Sequence, residues 1–343
     1  MSVQSEIIRL ENAKNSISTA ITNKGVTVPS GTKLDGMAAL IGSIESGGSN
    51  LQTKSVTYTA NGTDTITPDD GYDGLSSVDV TVDVASGGGG GAKEPYIEET
   101  YDANGNLIDV NLVGYTTIRP YAFYYCIKLA LTSLPSGLTK IGNNAFQYCS
   151  GLALTSLPSG LTSIEDNVFR SCIKLALTSL PSGITSIGQY AFQNCSKLAL
   201  TSLPSGLTSI GQYAFQGCSK LALTSLPSGL TKIGNNAFQN CKSLALTSLP
   251  SGLKIIENYV FQNCTNLALT SLPSGLTRIG TNAFQGCTGL TSITFKGKPS
   301  SISSSAFNGC TNLKTINVPW ASGAVSGAPW GANKATIKYN YTG

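Results

Sequence analysis

The chain has 343 residues, a formal net charge of +4 and only 12% charged residues, and it contains no histidine. The absence of histidine excludes every catalytic triad, cysteine–histidine pair and metal site that needs an imidazole near neutral pH, so we predict neither an enzyme nor a cofactor. At about 150 residues per domain, the length predicts two or three domains.

Residues 1–46 are predicted to form a helical segment. Apolar residues recur at helical spacing from Val3 to Ile21 and lie on one face. A second short helix is predicted near residues 34–44. Two interpretations stay open: the helices pack on each other as a hairpin, or the first helix forms a short coiled coil that joins several copies.

Residues 47–85 change to a period of two and predict a small β-module. Four valines between residues 78 and 84 alternate with polar residues, and Asn61-Gly62 is typical of a hairpin turn. The segment PDDGYDG fails the spacing of a calcium loop and is interpreted as an ordinary acidic turn. The glycine run in residues 86–92 predicts a flexible linker.

A 23-residue repeat dominates residues 93–318. Nine cysteines are each separated from the next by 23 residues, nine of the ten phenylalanines share another repeat position, and the nonapeptide LALTSLPSG occurs seven times. A fixed period of this length is the signature of a solenoid, in which apolar residues become buried only when coils stack. The cysteines lack the spacing of a zinc site or of a disulfide framework, so we predict buried thiols and no metal.

The predicted core is a column of phenylalanines beside a column of cysteines. Its central members are Phe146, Cys149, Phe169, Cys172, Phe192, Cys195, Phe215, Cys218, Phe238 and Cys241. A hairpin is predicted to cap the front of the stack, and residues 319–343 are predicted to cap the back. In the back cap, Trp320 and Trp330 either cover the last apolar layer or form a contact patch for a ligand.

Charge is unevenly distributed along the repeats. Residues 126–310 hold 12 basic and three acidic side chains, a balance of +9, which leaves −5 for the rest of the chain. Stacking would align Lys128, Lys174, Lys197 and Lys220 in one row. Such a row suits an anionic polymer such as teichoic acid or an acidic polysaccharide. The alternative is that lysine only makes exposed repeat positions soluble.

A second candidate surface comes from the two residues before each Ala-Phe or Val-Phe pair. They include Tyr190, Tyr213 and Tyr259, besides several asparagines and glutamines. Tyrosine rings stack on sugars and amides hydrogen-bond sugar hydroxyls, although both also serve as ordinary surface residues. The basic residues follow no recognisable nucleic-acid-binding motif, so nucleic acid is not a predicted partner.

The unit IGxxAFxxCxxL, as in IGNNAFQYCSGL (141–152) and IGQYAFQNCSKL (187–198), closely resembles the BspA-like leucine-rich-repeat family. The resemblance implies a right-handed leucine-rich-repeat solenoid of β-rich 23-residue coils with short helical turns, and a role in adhesion or ligand binding. Most units carry LALTSLP where the family commonly has LTSIxIP, a form kept best at LTSITF (290–295). The strand register of this part of the coil is therefore an open question.

The flanking segments resemble other proteins. Residues 7–44 and 55–84, and the ending VPWASGAVSGAPWGANKATIKYNYTG, are similar to modules of tail and other virion structural proteins of phages and prophages of Gram-positive gut bacteria. The first residues lack the pattern of a signal peptide, and no apolar run is long enough for a membrane helix. We therefore expect synthesis in the host cytoplasm without a signal peptide, no membrane insertion, and a place in the virion tail.

The expected function is that of a virion-associated tail fibre or receptor-binding protein. Residues 1–85 would contact other tail or baseplate proteins, and the solenoid would bind a polysaccharide or protein on the host cell surface. A homo-oligomer is expected, with a trimer as one candidate. The alternatives are a virion structural or decoration protein and a bacterial surface adhesin.

Overall fold

The computed structural model describes residues 63–66, 78–81 and 96–342. The chain divides into two compact units, one up to residue 92 and one from residue 93. The helical segment predicted for residues 1–46, the Asn61-Gly62 turn and the glycine linker all lie outside the described residues. Within the first unit, strand β1 (Thr63–Ile66) pairs antiparallel with strand β2 (Val78–Thr81).

The second unit begins with an antiparallel hairpin. Strand β3 (Tyr96–Tyr101) pairs with strand β4 (Leu107–Val113), and the register shifts after Thr100. The connecting turn is stabilised by the Asp102 carboxylate, which accepts the backbone N–H of Asn106 at 2.9 Å. Hydrogen bonds from the side chain and backbone of Asn106 lower the pKa of Asp102 below its ordinary value.

After the hairpin the chain forms a β-solenoid of 23-residue coils. Each coil contributes a two-residue strand that ends in a buried isoleucine. These strands are β5 (Thr117–Ile118), β6 (Lys140–Ile141), β7 (Ser163–Ile164), β8 (Ser186–Ile187), β9 (Ser209–Ile210), β10 (Lys232–Ile233), β11 (Ile255–Ile256), β13 (Arg278–Ile279) and β15 (Ser301–Ile302). Where neighbouring strands pair they are parallel, with each isoleucine opposite the isoleucine 23 residues further on.

A second parallel sheet lies at the carboxyl-terminal end of the described coils. Its strands, in spatial order, are β12 (Ser271–Leu272), β14 (Ser292–Phe295), β16 (Thr315–Asn317) and β17 (Thr336–Lys338).

The LALTSLP sequence explains why this second sheet does not extend along the whole solenoid. In the coil that begins at Cys195, Leu198 and Leu200 are buried, but the next leucine, Leu203, comes three residues later and is only half-buried. This spacing breaks the alternation that a strand needs. The LTSITF segment keeps the alternation, with Ile293 and Phe295 buried, and it forms β14. The last LALTSLP coil still contributes a short strand, β12, in which Leu272 is buried and pairs with Phe295. The LTSITF form therefore gives the longer strand, and the LALTSLP form joins this sheet only beside it.

The described residues contain no helix, and therefore none long and apolar enough to span a bilayer. In place of the expected short helical turns, the segment around the phenylalanine contains two residues with left-handed backbone in most coils. In one coil, Tyr190 and Asn194 have φ angles of 55° and 60°. The N–H groups of Tyr190, Phe192 and Asn194 donate to carbonyls of the next coil at 2.7 to 2.9 Å. In a helix these N–H groups would donate to carbonyls of the same helix. Because they donate to the next coil instead, the segment does not form a helix.

A column of phenylalanines runs through the centre of the solenoid. The rings from Phe123 to Phe307 stack with centroids 5.1 to 5.7 Å apart and within 18° of parallel. The ten central core residues, from Phe146 to Cys241, have no exposed surface. Because each ring lies between the rings of two other coils, the core exists only in the stack.

The cysteines do more than fill the space beside the rings. Each thiol from Cys149 to Cys310 donates to the carbonyl of the phenylalanine in the preceding coil, with sulfur–oxygen distances of 2.8 to 3.1 Å. The same carbonyl accepts the N–H of the cysteine in its own coil, as in the bond from Cys195 to Phe192. The thiol therefore satisfies the second lone pair of a buried carbonyl, which an apolar side chain could not do.

The ladder of two-residue strands is interrupted twice, and both interruptions follow a change from glycine to glutamate. After the strand isoleucine most coils have glycine, and a Cβ at Gly211 would lie 2.5 Å from the backbone of the preceding coil. In two coils Glu165 and Glu257 occupy this position. The pairing is absent between β6 and β7 and between β10 and β11 among the described strands. At both interruptions the centroids of the stacked phenylalanine rings are 5.7 Å apart, which is the largest distance in the column.

Replacing Glu165 by glycine is expected to close the first interruption. The Glu165→Gly variant regains backbone hydrogen bonds between β6 and β7 but adds the flexibility of glycine, so the free energy of unfolding should rise by about 1 kcal/mol. The reverse change, Gly211→Glu, should lower it by about 2 kcal/mol because the side chain meets the neighbouring backbone. Urea unfolding of both variants measures these differences. An unchanged or less stable Glu165→Gly protein would contradict the steric explanation.

The buried thiols are expected to make the fold sensitive to alkali. Burial raises the pKa of the thiols from Cys149 to Cys287 well above the ordinary 9.0, and that of Cys310 to about 12. Above pH 9 the unfolded chain releases thiol protons that the folded chain retains. The thiols therefore leave the free energy of unfolding unchanged below pH 9. Above pH 9 each thiol lowers it by about 1.4 kcal/mol for every pH unit.

Urea unfolding between pH 7 and pH 11, combined with thiol labelling, tests this behaviour. We expect a pH-independent free energy of unfolding below pH 9 and a steep decline above it, with labelling of these eight cysteines only after unfolding. Rapid labelling of several of them in native protein at pH 8 would contradict the structure.

Candidate binding surface

One side of each coil, which we call the turn face, consists of the two residues before and the two residues after each Ala-Phe or Val-Phe pair. In one coil these are Gln189, Tyr190, Gln193 and Asn194. The second residue of each pair has left-handed backbone in most coils. The turn face therefore combines the bonds that link coils with side chains that differ between coils.

Six tyrosines occupy these left-handed positions. Asparagine and glycine tolerate such a conformation, whereas the Cβ of a larger residue costs about 1–2 kcal/mol there. The tyrosines are Tyr121, Tyr125, Tyr148, Tyr190, Tyr213 and Tyr259, with φ angles between 55° and 65°. Strained backbone concentrates at functional sites, so these tyrosines are candidates for a binding role.

The tyrosines form groups along the turn face. Tyr190 and Tyr213 stack with ring centroids 4.8 Å apart, and Tyr259 lies half-buried two coils beyond Tyr213. At the front of the solenoid, the four rings of Tyr121, Tyr124, Tyr125 and Tyr148 form a cluster with centroids 5.5 to 6.0 Å apart.

The front cluster is the most exposed aromatic surface of the described coils. Tyr121, Tyr124 and Tyr125 are 46%, 37% and 62% exposed. Our sequence analysis missed the cluster, although the segment YAFYYC places the three rings at the same repeat positions as Asn144, Gln147 and Tyr148. The repeat alignment itself was the signal that could have found them.

A ladder of glutamine side chains runs along the turn face. The amide nitrogen of each glutamine donates to the amide oxygen of the next, from Gln193 through Gln216, Gln239 and Gln262 to Gln285. Arg170 occupies the ladder position between Gln147 and Gln193 and ends the ladder there. Its guanidinium carbon lies 5.8 Å from the ring centroid of Tyr148 and 5.0 Å from that of Tyr190. Both distances are within the range of a cation–π contact.

The predicted lysine row is exposed throughout. Lys128, Lys174, Lys197 and Lys220 all have exposed side chains, and the last three lie on consecutive coils. Residues 126–343 carry fifteen basic and three acidic side chains. The described coils therefore present a strongly positive field, and the row concentrates part of it.

Comparison with known proteins assigns the repeats to a family. A family model described as a BspA type leucine rich repeat region matches residues 116–245 and 233–323 in six copies, which together span more than half of the chain. The chain belongs to the BspA-type leucine-rich-repeat family. Its membership agrees with the 23-residue coils and with the IGxxAFxxC unit, and the LALTSLP coils are a variation on the family pattern.

Solved structures of other leucine-rich-repeat proteins resemble this BspA-type chain. A leucine-rich repeat protein from Bacteroides ovatus ATCC 8483 is 24% identical with a TM-score of 0.49, and the alignment covers 72% of this chain and 76% of that chain. A leucine rich cell surface protein from Faecalibacterium prausnitzii A2-165 is 27% identical with a TM-score of 0.42, covering 66% and 77%. The pneumococcal vaccine antigen PcpA is 21% identical with a TM-score of 0.37, covering 65% and 62%. No curated protein matches the chain.

The back cap of the BspA-type solenoid buries both of its tryptophans. Trp330 has no exposed surface and its indole N–H donates to the Ser326 carbonyl at 2.8 Å. Trp320 is 6% exposed, and both rings pack around Phe295. We therefore place the two tryptophans in the core of the cap and remove them from the ligand-binding set, because a buried ring offers no surface to a ligand.

A cleft of about 720 Å³ lies beside β4, at the front of the BspA-type coils. Backbone and side chains of β4 form one wall, and Ala130 to Pro135 of the first LALTSLP segment form the other. The lining includes one carboxylate, Asp109. Among the described residues no cluster of histidine, cysteine, aspartate or glutamate could hold a metal ion.

Proposed function

We propose that the solenoid is a non-catalytic binding scaffold that recognises an anionic glycopolymer on a host cell surface. We further propose that a virion displays it as a tail fibre or receptor-binding protein. The observation that carries the proposal is the excess of fifteen basic over three acidic side chains in residues 126–343, together with the exposed lysine row. Residues 1–125 carry the opposite charge, −8, so positive charge is concentrated in the repeats.

The scaffold is suited to display because its core and its surface are separated by repeat position. Phenylalanine, cysteine and the leucines of LALTSLP recur in nearly every coil, whereas the residues of the turn face and of the lysine row change from coil to coil. A change at these positions leaves the stacked rings and thiols intact. Binding surfaces of repeat proteins are built in this way.

The three acidic side chains of the repeats support a non-catalytic role, because each is engaged in a structural contact. Glu165 accepts the Ser163 hydroxyl at 2.7 Å, and Asp166 accepts the N–H of Gln189 at 2.6 Å. Glu257 pairs with Arg278. A glycosidase needs two carboxylates that face each other across a substrate, and these carboxylates serve their own and neighbouring coils instead.

The virion setting is supported by the resemblance of residues 7–44 and 55–84 to tail modules. In this proposal residues 1–85 contact other tail or baseplate proteins and join the copies of a homo-oligomer. Copurification with phage particles separates a virion protein from a bacterial surface adhesin. Cell binding by the chain separates a receptor-binding protein from a decoration protein.

Charge reversal of the lysine row is expected to weaken cell binding selectively. The variant Lys174→Glu, Lys197→Glu, Lys220→Glu should bind Gram-positive cells at least about tenfold more weakly than the unmodified chain, because electrostatic attraction drives the encounter. Binding of fluorescently labelled full-length protein across a salt series measures this effect, and rising salt should weaken the unmodified chain more than the variant.

A matched control has the same net charge as this variant but carries its three substitutions outside the lysine row. Lys296→Glu, Lys298→Glu, Lys314→Glu alters three other exposed lysines, and it should retain most of the binding. Equal losses in both variants would show that only total charge matters. Unchanged binding in the row variant would contradict the proposed role of the row.

A further inference from the structure

We propose that Arg170, Tyr148 and Tyr190 form a specific subsite for an acidic sugar residue, one that carries a carboxylate or a phosphate. The inference rests on the proposed function and assigns a local recognition site within the broader basic surface. We call these three residues the arginine clamp.

The clamp holds a guanidinium group between two aromatic rings with part of its hydrogen-bonding capacity unused. Arg170 lies over Tyr148 on one side and Tyr190 on the other, one coil away in each direction. Its Nε is buried and has no hydrogen-bond partner among the described residues. A buried N–H without a partner is costly, so stability alone does not explain why arginine occupies this position.

The neighbouring carboxylates form no ion pair with this arginine among the described residues. Glu165 and Asp166 belong to the same coil, but their carboxylates accept hydrogen bonds from Ser163 and from the Gln189 backbone. The ion pair that the described repeats contain is that of Arg278 with Glu257, four coils further on. Arg170 is therefore positioned to accept an external anion.

The break in the glutamine ladder indicates that Arg170 is not there for stability. The equivalent residue is Gln147 in the coil before and Gln193 in the coil after. With arginine between them, the Oε1 atom of Gln193 is buried without a hydrogen-bond partner. A glutamine at position 170 could donate to this oxygen as the other ladder members do. The hydrogen bond between the side chains of positions 170 and 193 is therefore missing in the coil where a guanidinium lies between two tyrosines.

The surroundings favour a sugar over a bare anion. The Tyr148 ring contacts Tyr124 and Tyr125, whose exposed rings extend the surface by one coil toward the front. Aromatic faces pack against the C–H faces of sugar rings, while the planar guanidinium fork matches the two oxygens of a carboxylate or phosphate. An acidic saccharide would use both kinds of contact at once.

The repeat itself supplies variants that should keep the fold. Arg170→Gln, Tyr148→Asn and Tyr190→Asn each introduce a residue that other coils carry at the same position, such as Gln193, Asn194 and Asn167. Asparagine also tolerates the left-handed backbone of Tyr148 and Tyr190 better than tyrosine does. We expect the midpoint of thermal unfolding of each variant to equal or exceed that of the unmodified chain.

Binding of the full-length protein to three immobilised polymers tests the clamp: polygalacturonate, which carries carboxylates, poly(glycerol phosphate), which carries phosphates, and neutral dextran. We expect the unmodified chain to bind at least one acidic polymer, and Arg170→Gln to bind that polymer at least about tenfold more weakly. Arg170→Lys should not restore the affinity, because an ammonium group lacks the planar fork. Lys314→Gln, which removes one charge at the far end of the repeats, serves as the matched control and should bind normally.

The two proposals fail in different ways in this experiment. If Arg170→Gln and Lys314→Gln bind alike while the lysine-row variant loses binding, the clamp is wrong and the proposed function stands. If the unmodified chain binds neither acidic polymer nor any cell, both proposals are wrong. The preferred polymer distinguishes a carboxylate from a phosphate as the recognised group.

Discussion

The hydrogen bonds between successive coils are the constraint on which the described solenoid depends. Around each phenylalanine, alternate N–H groups donate to the next coil, and the thiol beside the ring donates to the carbonyl of the coil before. A single coil could satisfy neither set of groups, and its ring would lack both stacking partners. Unpaired buried backbone groups are costly, so the coils are stable only as neighbours of one another.

The same bonds determine what the surface can display. Left-handed backbone at two positions per coil is needed to direct the N–H groups toward the next coil, and side chains at these positions belong to the turn face. Asparagine and glycine adopt this left-handed backbone at low cost. Backbone preference therefore does not explain the six tyrosines at such positions, and we attribute them to the properties of the ring. The geometry that links the coils therefore also creates a series of equivalent display positions about one coil spacing apart.

Much of this architecture is predictable from the sequence because the repeat is so regular. A 23-residue period with one phenylalanine and one cysteine per unit predicts stacked columns, and the resemblance of IGxxAFxxC to BspA-like repeats is confirmed by family membership. The thiol hydrogen bonds were not predictable, because they join residues of different coils and depend on a carbonyl that the sequence does not show. Short helical turns were expected where left-handed residues occur, since the preference of asparagine for φ above zero is weaker evidence than a repeat motif.

Single departures from the repeat proved more informative about the surface than the repeat itself. Glu165 and Glu257 mark the two interruptions of the strand ladder, at the position where glycine in most coils lies against the backbone of the preceding coil, and only the structure shows how close that approach is. Arg170 was counted with the other basic residues, although the two tyrosines on either side of it lie 22 residues before and 20 residues after it. Arg170 and the two tyrosines come into contact because each lies on the turn face of one of three successive coils. This relation can be recognised only when the coils are superimposed.

Transplanting the arginine clamp tests most directly whether recognition belongs to turn-face residues on an interchangeable scaffold. Residues 240, 262 and 282 are equivalent to the clamp four coils later, and they lie beside Glu257 as the clamp lies beside Glu165. The substitutions Asn240→Tyr, Gln262→Arg and Asn282→Tyr would be added to a protein whose own clamp carries Tyr148→Asn, Arg170→Gln and Tyr190→Asn. The account predicts that affinity for the acidic polymer, lost in the parent, returns to within about threefold of the unmodified chain. A correctly folded transplant that still fails to bind would contradict it.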